Sequence, residues 1–164
     1  MEIRPMTEGD WPDVARIYLE GIATGLATFE TEVPEWRAFN ATHRPEARLV
    51  AESGGRVVGW VALSRWSSRG VYAGVSWESV YVAEHARGLG VGRALLDAAI
   101  TASEAAGIWT LTAGIMADNV ASIALHERVG FRRIGVQERV GQDAAGRWRD
   151  VVLFERRSTH TGID

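Results

Sequence analysis

Cysteine is absent from the 164-residue chain, which excludes a disulfide framework, a thiolate metal site and a covalent acyl-cysteine intermediate. Lysine is absent too: all 18 basic residues are arginine, a bias to which no functional meaning is attached. The formal net charge of −3 has the wrong sign for a general nucleic-acid binder, so the arginines have to be read site by site. No run of roughly 18 apolar residues occurs, and the opening MEIRPMTEGD lacks the apolar centre of a signal peptide. A cytoplasmic protein with no membrane partner is the expectation. The four histidines, His43, His85, His126 and His160, show no metal-ligand spacing, and no metal is expected. Internal repeats and low-complexity segments are also missing.

An apolar fraction of 46% over this length suits one domain with one core, expected over residues 1–157 with a flexible tail at 158–164. Glu2 to Pro5 reads as a short edge strand. Thr7, Glu8 and Asp10 mark the start of a helix that carries Trp11, Val14, Ile17, Tyr18 and Ile22 at helical spacing. GIATGLATFETEVP follows as a loop, then a helix from Glu35 to His43. Leu49 to Glu52 and Val57 to Leu63 flank Ser53-Gly54-Gly55, the chemistry of a hairpin. Further on come a helix from Gly90 to Ala106 stopped at Gly107, a strand from Thr110 to Ile115, and a helix from Asp118-Asn119 to Val129. Two last strands begin at Phe131 and at Trp148.

The most informative stretch is VSWESVYVAEHARGLGVGRALL, residues 75 to 96: a strand, a charged turn, a glycine-spaced loop and a helix. Glycines that free backbone N–H groups at a helix start make an anion site. A P-loop would need Lys-Ser/Thr after its last glycine, and Gly92 is followed by Arg93-Ala94. A dinucleotide fingerprint needs G-x-G-x-x-G, whereas Gly88, Gly90 and Gly92 are spaced by two. The string that remains is R-x-x-G-x-G, Arg87 to Gly92, directly after Val80-Tyr81-Val82. Here the chain resembles the GNAT N-acetyltransferases, whose family holds the pyrophosphate of acetyl-coenzyme A in this loop. The resemblance implies an α/β fold: a mixed, mostly antiparallel sheet splayed at its central strand and flanked by about four helices. It implies coenzyme contacts from Val80, Tyr81, Val82, Arg87, Gly88, Leu89, Gly90, Val91, Gly92 and Arg93. Without cysteine, acetyl transfer would have to be direct.

A second constellation lies downstream. Asn119, Ser122 and His126 share one stripe of a helix, and with Gly130-Phe131 they match N-x-x-[AS]-x-x-x-[YH]-x-x-x-G-F of the same family. By that resemblance Asn119 and Ser122 contact the coenzyme arm. His126 stands where a tyrosine, or a histidine in the phosphinothricin acetyltransferase-like branch, returns a proton to the coenzyme thiolate. An imidazole with an ordinary pKa of about 6.5 suits that task.

The branch resemblance extends to T-x-F-x-T-E before Pro34, which puts Phe29 either in the acceptor pocket or as a staple of its loop, and to Gly146, Trp148 and Asp150. It implies a small-molecule amine acceptor, an amino acid of the phosphinothricin or methionine sulfoximine type, and a homodimer. Arg65 and Arg69 offer forks for an anionic acceptor, or are solvated loop charges. The branch glutamate, expected in E-x-S-V-Y-V, falls on Trp77. Glu78, the nearest acid, is the candidate base, with an outward-facing charge as the other reading; if it faces away, His126 acting directly or through water is the base and Trp77 narrows the acceptor pocket. Strand alternation turns Glu78 to the face opposite Tyr81 unless a β-bulge restores the phase. Other amine classes (aminoglycoside, polyamine, protein N-terminus) and a non-catalytic acyl-CoA sensor stay open at this point.

Overall fold

The computed structural model describes residues 1–163. One sheet organises it, built from β1 (Glu2–Pro5), β2 (Leu49–Ser53), β3 (Arg56–Arg65), β4 (Val75–Val82), β5 (Thr110–Met116), β6 (Arg132–Gln142) and β7 (Trp148–Arg157). Their spatial order is β1-β2-β3-β4-β5-β7-β6. Four α-helices accompany it: α1 (Trp11–Ala23), α2 (Trp36–Thr42), α3 (Val91–Ala105) and α4 (Val120–Arg128). Every neighbouring pair of strands is antiparallel except β4 and β5.

Local sequence explains the joints. Gly54 and Gly55, at φ 60° and 75°, adopt the left-handed backbone that a tight hairpin between β2 and β3 requires. Gly90, at φ 84°, stands immediately before α3, and Gly107, at φ 77°, follows its end.

The two faces of the sheet can be told apart at β3. Trp60 packs against Tyr18 of α1 and Phe39 of α2, while a Cβ on its neighbour Gly59 would stand 3.0 Å from Leu95 and Val91 of α3. Because successive side chains alternate, α1 and α2 cover one face and α3 the other. Trp60, Val61, Leu63, Leu95, Leu96 and Phe154 are fully buried in the resulting core.

The parallel pair gives the site its location. β4 and β5 pair only at Val75↔Thr110, Ser76↔Leu111 and Trp77↔Thr112. Beyond Trp77, β4 stays paired with β3 as far as Val82↔Gly59, and β5 stays paired with β7 as far as Met116↔Val151. The sheet is therefore splayed from Glu78 onward, as the resemblance implies.

Residues 158–163, the described part of the expected tail, fold back on the end of α3 and the segment that leads into β5. Ser158 N donates to the Trp109 carbonyl at 2.8 Å, and Thr161 Oγ1 donates to the Glu104 carbonyl at 3.0 Å. Asp164 lies outside the described residues.

At Gly21 in α1, a Cβ would stand 2.6 Å from the Tyr81 ring. That ring is stacked on Trp60 at 4.5 Å and packed on Tyr18 at 4.8 Å, so it has nowhere to swing. Gly21→Ala gains about 1 kcal/mol of helix propensity and loses about 1–3 kcal/mol to overpacking. The expected outcome is a net loss of stability, read as a lower midpoint in urea with an unchanged slope.

Candidate active site

β4 presents Glu78 and α4 presents His126 to the same point inside the splay. His126 Nε2 lies 2.6 Å from Glu78 Oε1, and the two residues are 1% and 8% exposed. Glu78 gets there without a bulge. β3 and β4 run in unbroken register from Gly59↔Val82 to Arg65↔Ser76, so Glu78 does lie on the face opposite Tyr81. That face is not the outside of the molecule: α3 and α4 cover it, and a Cβ on Gly92 of α3 would touch Val82 at 3.5 Å and Leu125 of α4 at 3.0 Å. The outward-facing alternative for Glu78 is thereby corrected.

The protons of the pair can be counted. His126 Nδ1 is 2.7 Å from the Ser122 carbonyl oxygen, which only accepts, so Nδ1 carries a hydrogen. A second proton must lie between Nε2 and Oε1, since two bare lone pairs would repel at that distance. Both imidazole nitrogens are then engaged. Glu78 Oε2 is buried and has no hydrogen-bond partner, which makes it the one polar atom of the pair with capacity to spare.

Burial pushes the His126 pKa down, but the Glu78 charge, the hydrogen bond to it and the Ser122 carbonyl outweigh that and hold it above its ordinary value. A cavity of about 80 Å³ opens beside the pair. Its walls come from both sides of the splay: Val80 and Tyr81 of β4, Gly114 and Met116 of β5, Ser122 of α4, and Leu26 and Ala27 of the loop between α1 and α2.

The glycine loop stands at the neighbouring end of β4. Gly88 and Gly90 have φ of 76° and 84°, and a Cβ on either would meet open space, so the loop is held open by conformation rather than by packing. The first turn of α3 offers its free N–H groups there. Arg87 Nε reaches back to the Val82 carbonyl at 3.3 Å, Leu89 is 73% exposed, and Arg93 is exposed beside Asp97. Val91 is the exception in this string, buried in the core. The arrangement fits the pyrophosphate of a coenzyme A.

The predicted residues divide as follows. Glu78, Val80, Tyr81, Asn119, Ser122 and His126 all line the cavity. Asn119 is already committed on both sides: its Oδ1 accepts from Ser122 N at 3.2 Å, capping α4, and its Nδ2 donates to the Leu26 carbonyl at 3.2 Å. Trp77, Phe29, Arg65 and Arg69 do not line it. Trp77 is half-buried on the opposite face of β4 from Glu78, with its ring 4.0 Å from the place of a Gly114 Cβ. Phe29 lies across Gly141 of β6, where a Cβ would stand 3.1 Å from its ring, so it staples the loop. Arg65 ends β3 in solvent, and Arg69 lies over the Tyr72 ring at 5.8 Å.

Sequence reasoning missed Arg149, which is 8% exposed and bound to the loop after α1 through the Gly25 carbonyl. Its only signal was its place between Trp148 and Asp150, since a strand that turns those two outward turns the residue between them inward.

Comparison with known proteins agrees with this geometry. Residues 11–131 match the Acetyltransferase (GNAT) family. The phosphinothricin N-acetyltransferase of Alcaligenes faecalis is 37% identical over 162 residues, covering 94% of this chain and 81% of the relative. The L-methionine sulfoximine/L-methionine sulfone acetyltransferase of Pseudomonas paraeruginosa is 31% identical over 159 residues, covering 93% of this chain and 92% of the relative. Among solved structures, a phosphinothricin acetyltransferase from Sinorhizobium meliloti in complex with AcCoA superposes with a TM-score of 0.89 at 27% identity, over 99% of this chain and 91% of that one. The chain belongs to the GNAT family of acetyltransferases.

The pair also sets a pH dependence. Because the folded His126 pKa is raised, its contribution to stability is complete below the unfolded value of about 6.5 and is lost as pH rises through the folded value. The melting temperature should therefore fall on raising the pH from neutrality. A double variant, Glu78→Gln with His126→Gln, should lack that component in the same calorimetric series.

Proposed function

We propose that this protein transfers the acetyl group of acetyl-CoA directly to the α-amine of a small amino-acid-like acceptor, of the phosphinothricin or methionine sulfoximine kind. The carrying observation is the splay between β4 and β5, which sets a buried Glu78–His126 pair at 2.6 Å beside the open glycine loop. The names of the relatives at 37% and 31% identity support the acceptor class. Acetyl-CoA would supply the thioester carbonyl and the leaving thiolate. Arg87 to Arg93 would hold its pyrophosphate, and Val80, Tyr81, Val82, Asn119 and Ser122 would border its arm.

The chain's own residues then manage protons and position. An ammonium has no lone pair, so the acceptor must lose a proton before attack. Glu78 Oε2, unpartnered in the resting site, is the atom suited to take it. His126, whose Nε2 shares a proton with the other carboxylate oxygen, would return a proton to the leaving thiolate; of the two protons the ammonium nitrogen loses in all, one ends on the thiol and the other passes through Glu78 to solvent. Backbone N–H groups of β4 beyond Trp77, which have no β5 partner, can meet the developing oxyanion. With the pair's proton store intact the protein is an enzyme rather than a sensor, and a coenzyme A thioester as co-substrate suits a cytoplasmic location.

A homodimer belongs to the same reading. β6 and β7 leave Ile134, Val136, Val140 and Trp148 about half exposed, between 47% and 55%, an apolar edge that a second copy would cover.

Three measurements test the proposal. Wild-type protein should bind acetyl-CoA and release free CoA with phosphinothricin or methionine sulfoximine. Gly90→Glu, which puts a side chain at φ 84° and a carboxylate at the anion site, should abolish coenzyme binding. Glu78→Gln should lower kcat by about 10²–10⁴ while coenzyme binding stays within about twofold. Coenzyme binding without turnover of any amine would overturn the enzymatic reading. For the dimer, Val136→Arg should shift the mass measured by light scattering from two chains to one.

A further inference from the structure

We propose that Arg149 is the positioning residue of the acceptor side: from outside the Glu78–His126 cavity, it holds the loop Thr24–Glu30 against that cavity and so sets acceptor affinity. The proposal rests on the functional reading above.

The loop has little to hold itself in place. It belongs to no helix or strand between Thr24 and Glu30, and its internal hydrogen bonds are two short turns, Leu26 N to Thr24 Oγ1 at 3.1 Å and Glu30 N to Thr28 Oγ1 at 3.0 Å. Gly25 is left-handed at φ 64°. Yet Leu26 and Ala27 form part of the cavity wall together with Glu78 and His126. Such a segment keeps one position only if something outside it supplies partners.

Three ties do so. Arg149 Nη1 donates to the Gly25 carbonyl at 3.2 Å. Asn119 donates to the Leu26 carbonyl. Phe29 rests on Gly141. The arginine tie is the charged one, and hydrogen bonds to charged groups are the stronger kind.

The guanidinium is itself fixed. Nη1 also reaches Asp143 Oδ2 at 3.0 Å, and Nη2 reaches Asp118 Oδ2 at 3.0 Å. Asp143 in turn accepts from the Ala145 and Arg147 backbone N–H groups, each at 3.0 Å; the Arg147 backbone bond foremost, then the Arg149 and Arg147 side chains, hold its carboxyl down at about 2. It stays ionised throughout the working pH range. Arg149 is engaged by Asp118 and by Asp143, the latter shared with Arg147 at 2.9 Å, so its guanidinium is taken up within the cluster. Its role is to join the β6–β7 turn, the start of α4 and the loop after α1.

The test uses Arg149→Lys, Arg149→Gln and, as a mild variant, Asp118→Asn at a side chain 68% exposed. An ammonium on a lysine stem cannot reach all three partners. Arg149→Lys should raise the acceptor KM about tenfold, with coenzyme Kd and kcat at saturating acceptor unchanged. Arg149→Gln should raise it further, and Asp118→Asn by no more than about threefold. A second readout needs no acceptor: a glutamate-specific protease should cut after Glu30 faster in the arginine variants than in wild type. A merely structural Arg149 would lower kcat and the melting temperature together without separating acceptor from coenzyme. Unchanged KM and unchanged cleavage at Glu30 in both arginine variants would overturn the proposal. If wild type acetylates no such acceptor, the functional reading fails, while the protease rates still decide whether Arg149 holds the loop.

Discussion

Everything functional in this molecule depends on two neighbouring strands that stop pairing after three residues. β4 is fixed by seven register pairs to β3, and β5 by seven to β7, so each half of the sheet follows its own twist. Thr112 Oγ1, donating to the Ser76 carbonyl at 3.0 Å, makes a side-chain link across the paired part. Past it, the inner edges of β4 and β5 present backbone N–H and C=O groups with no strand to receive them. Buried backbone groups in that condition are costly, and a ligand with amide groups of its own relieves the cost. The gap is therefore a binding site made by what the outer strands enforce.

The same reasoning applies to the charges inside it. A buried ion pair is weak support for stability, because desolvation takes back most of the Coulombic gain. The Glu78–His126 pair is less favourable still, since Oε2 has no donor at all. On the side away from the cavity, Phe131 and Phe154 pack on the imidazole with centroids at 5.1 and 6.3 Å. The proton-transfer role proposed for the pair would account for keeping it at such cost, and the cavity it borders gives that chemistry room. The Arg149 cluster differs, for there each carboxylate and the guanidinium satisfy one another and the backbone.

Much of this was legible from the letters, and the reason differs by element. Hairpin glycines, the stop at Gly107 and the cap at Asn119 are local chemistry, so the elements they delimit came out within a residue or two. The stripe Asn119, Ser122, His126 needed only the helical period. The acceptor side was not legible. Arg65 and Arg69 read equally as acceptor clamps or as solvated loop charges, and nothing local says that one lies over the Tyr72 ring while the other ends β3 in solvent. Arg149 looked ordinary because its partners are Asp118, Asp143 and a carbonyl at Gly25, far apart in sequence. Burial of a charge is decided by tertiary neighbours, which one-dimensional patterns do not contain.

The phase of β4 shows how sharp that limit is. In a regular strand Trp77 and Glu78 face opposite sides of the sheet, so one inserted residue would exchange them. The aromatic face holds Trp60, Tyr18 and Tyr81 in mutual contact, and burial has pushed the Tyr81 phenol far above its ordinary range. A carboxylate turned to that side would share the face with those aromatic rings. On the side it occupies it meets an imidazole at hydrogen-bond distance. The unbroken register with β3 therefore selects the partner of Glu78, and through that partner its chemistry. Residue identity at a single position carries no functional meaning here until the strand's phase is known.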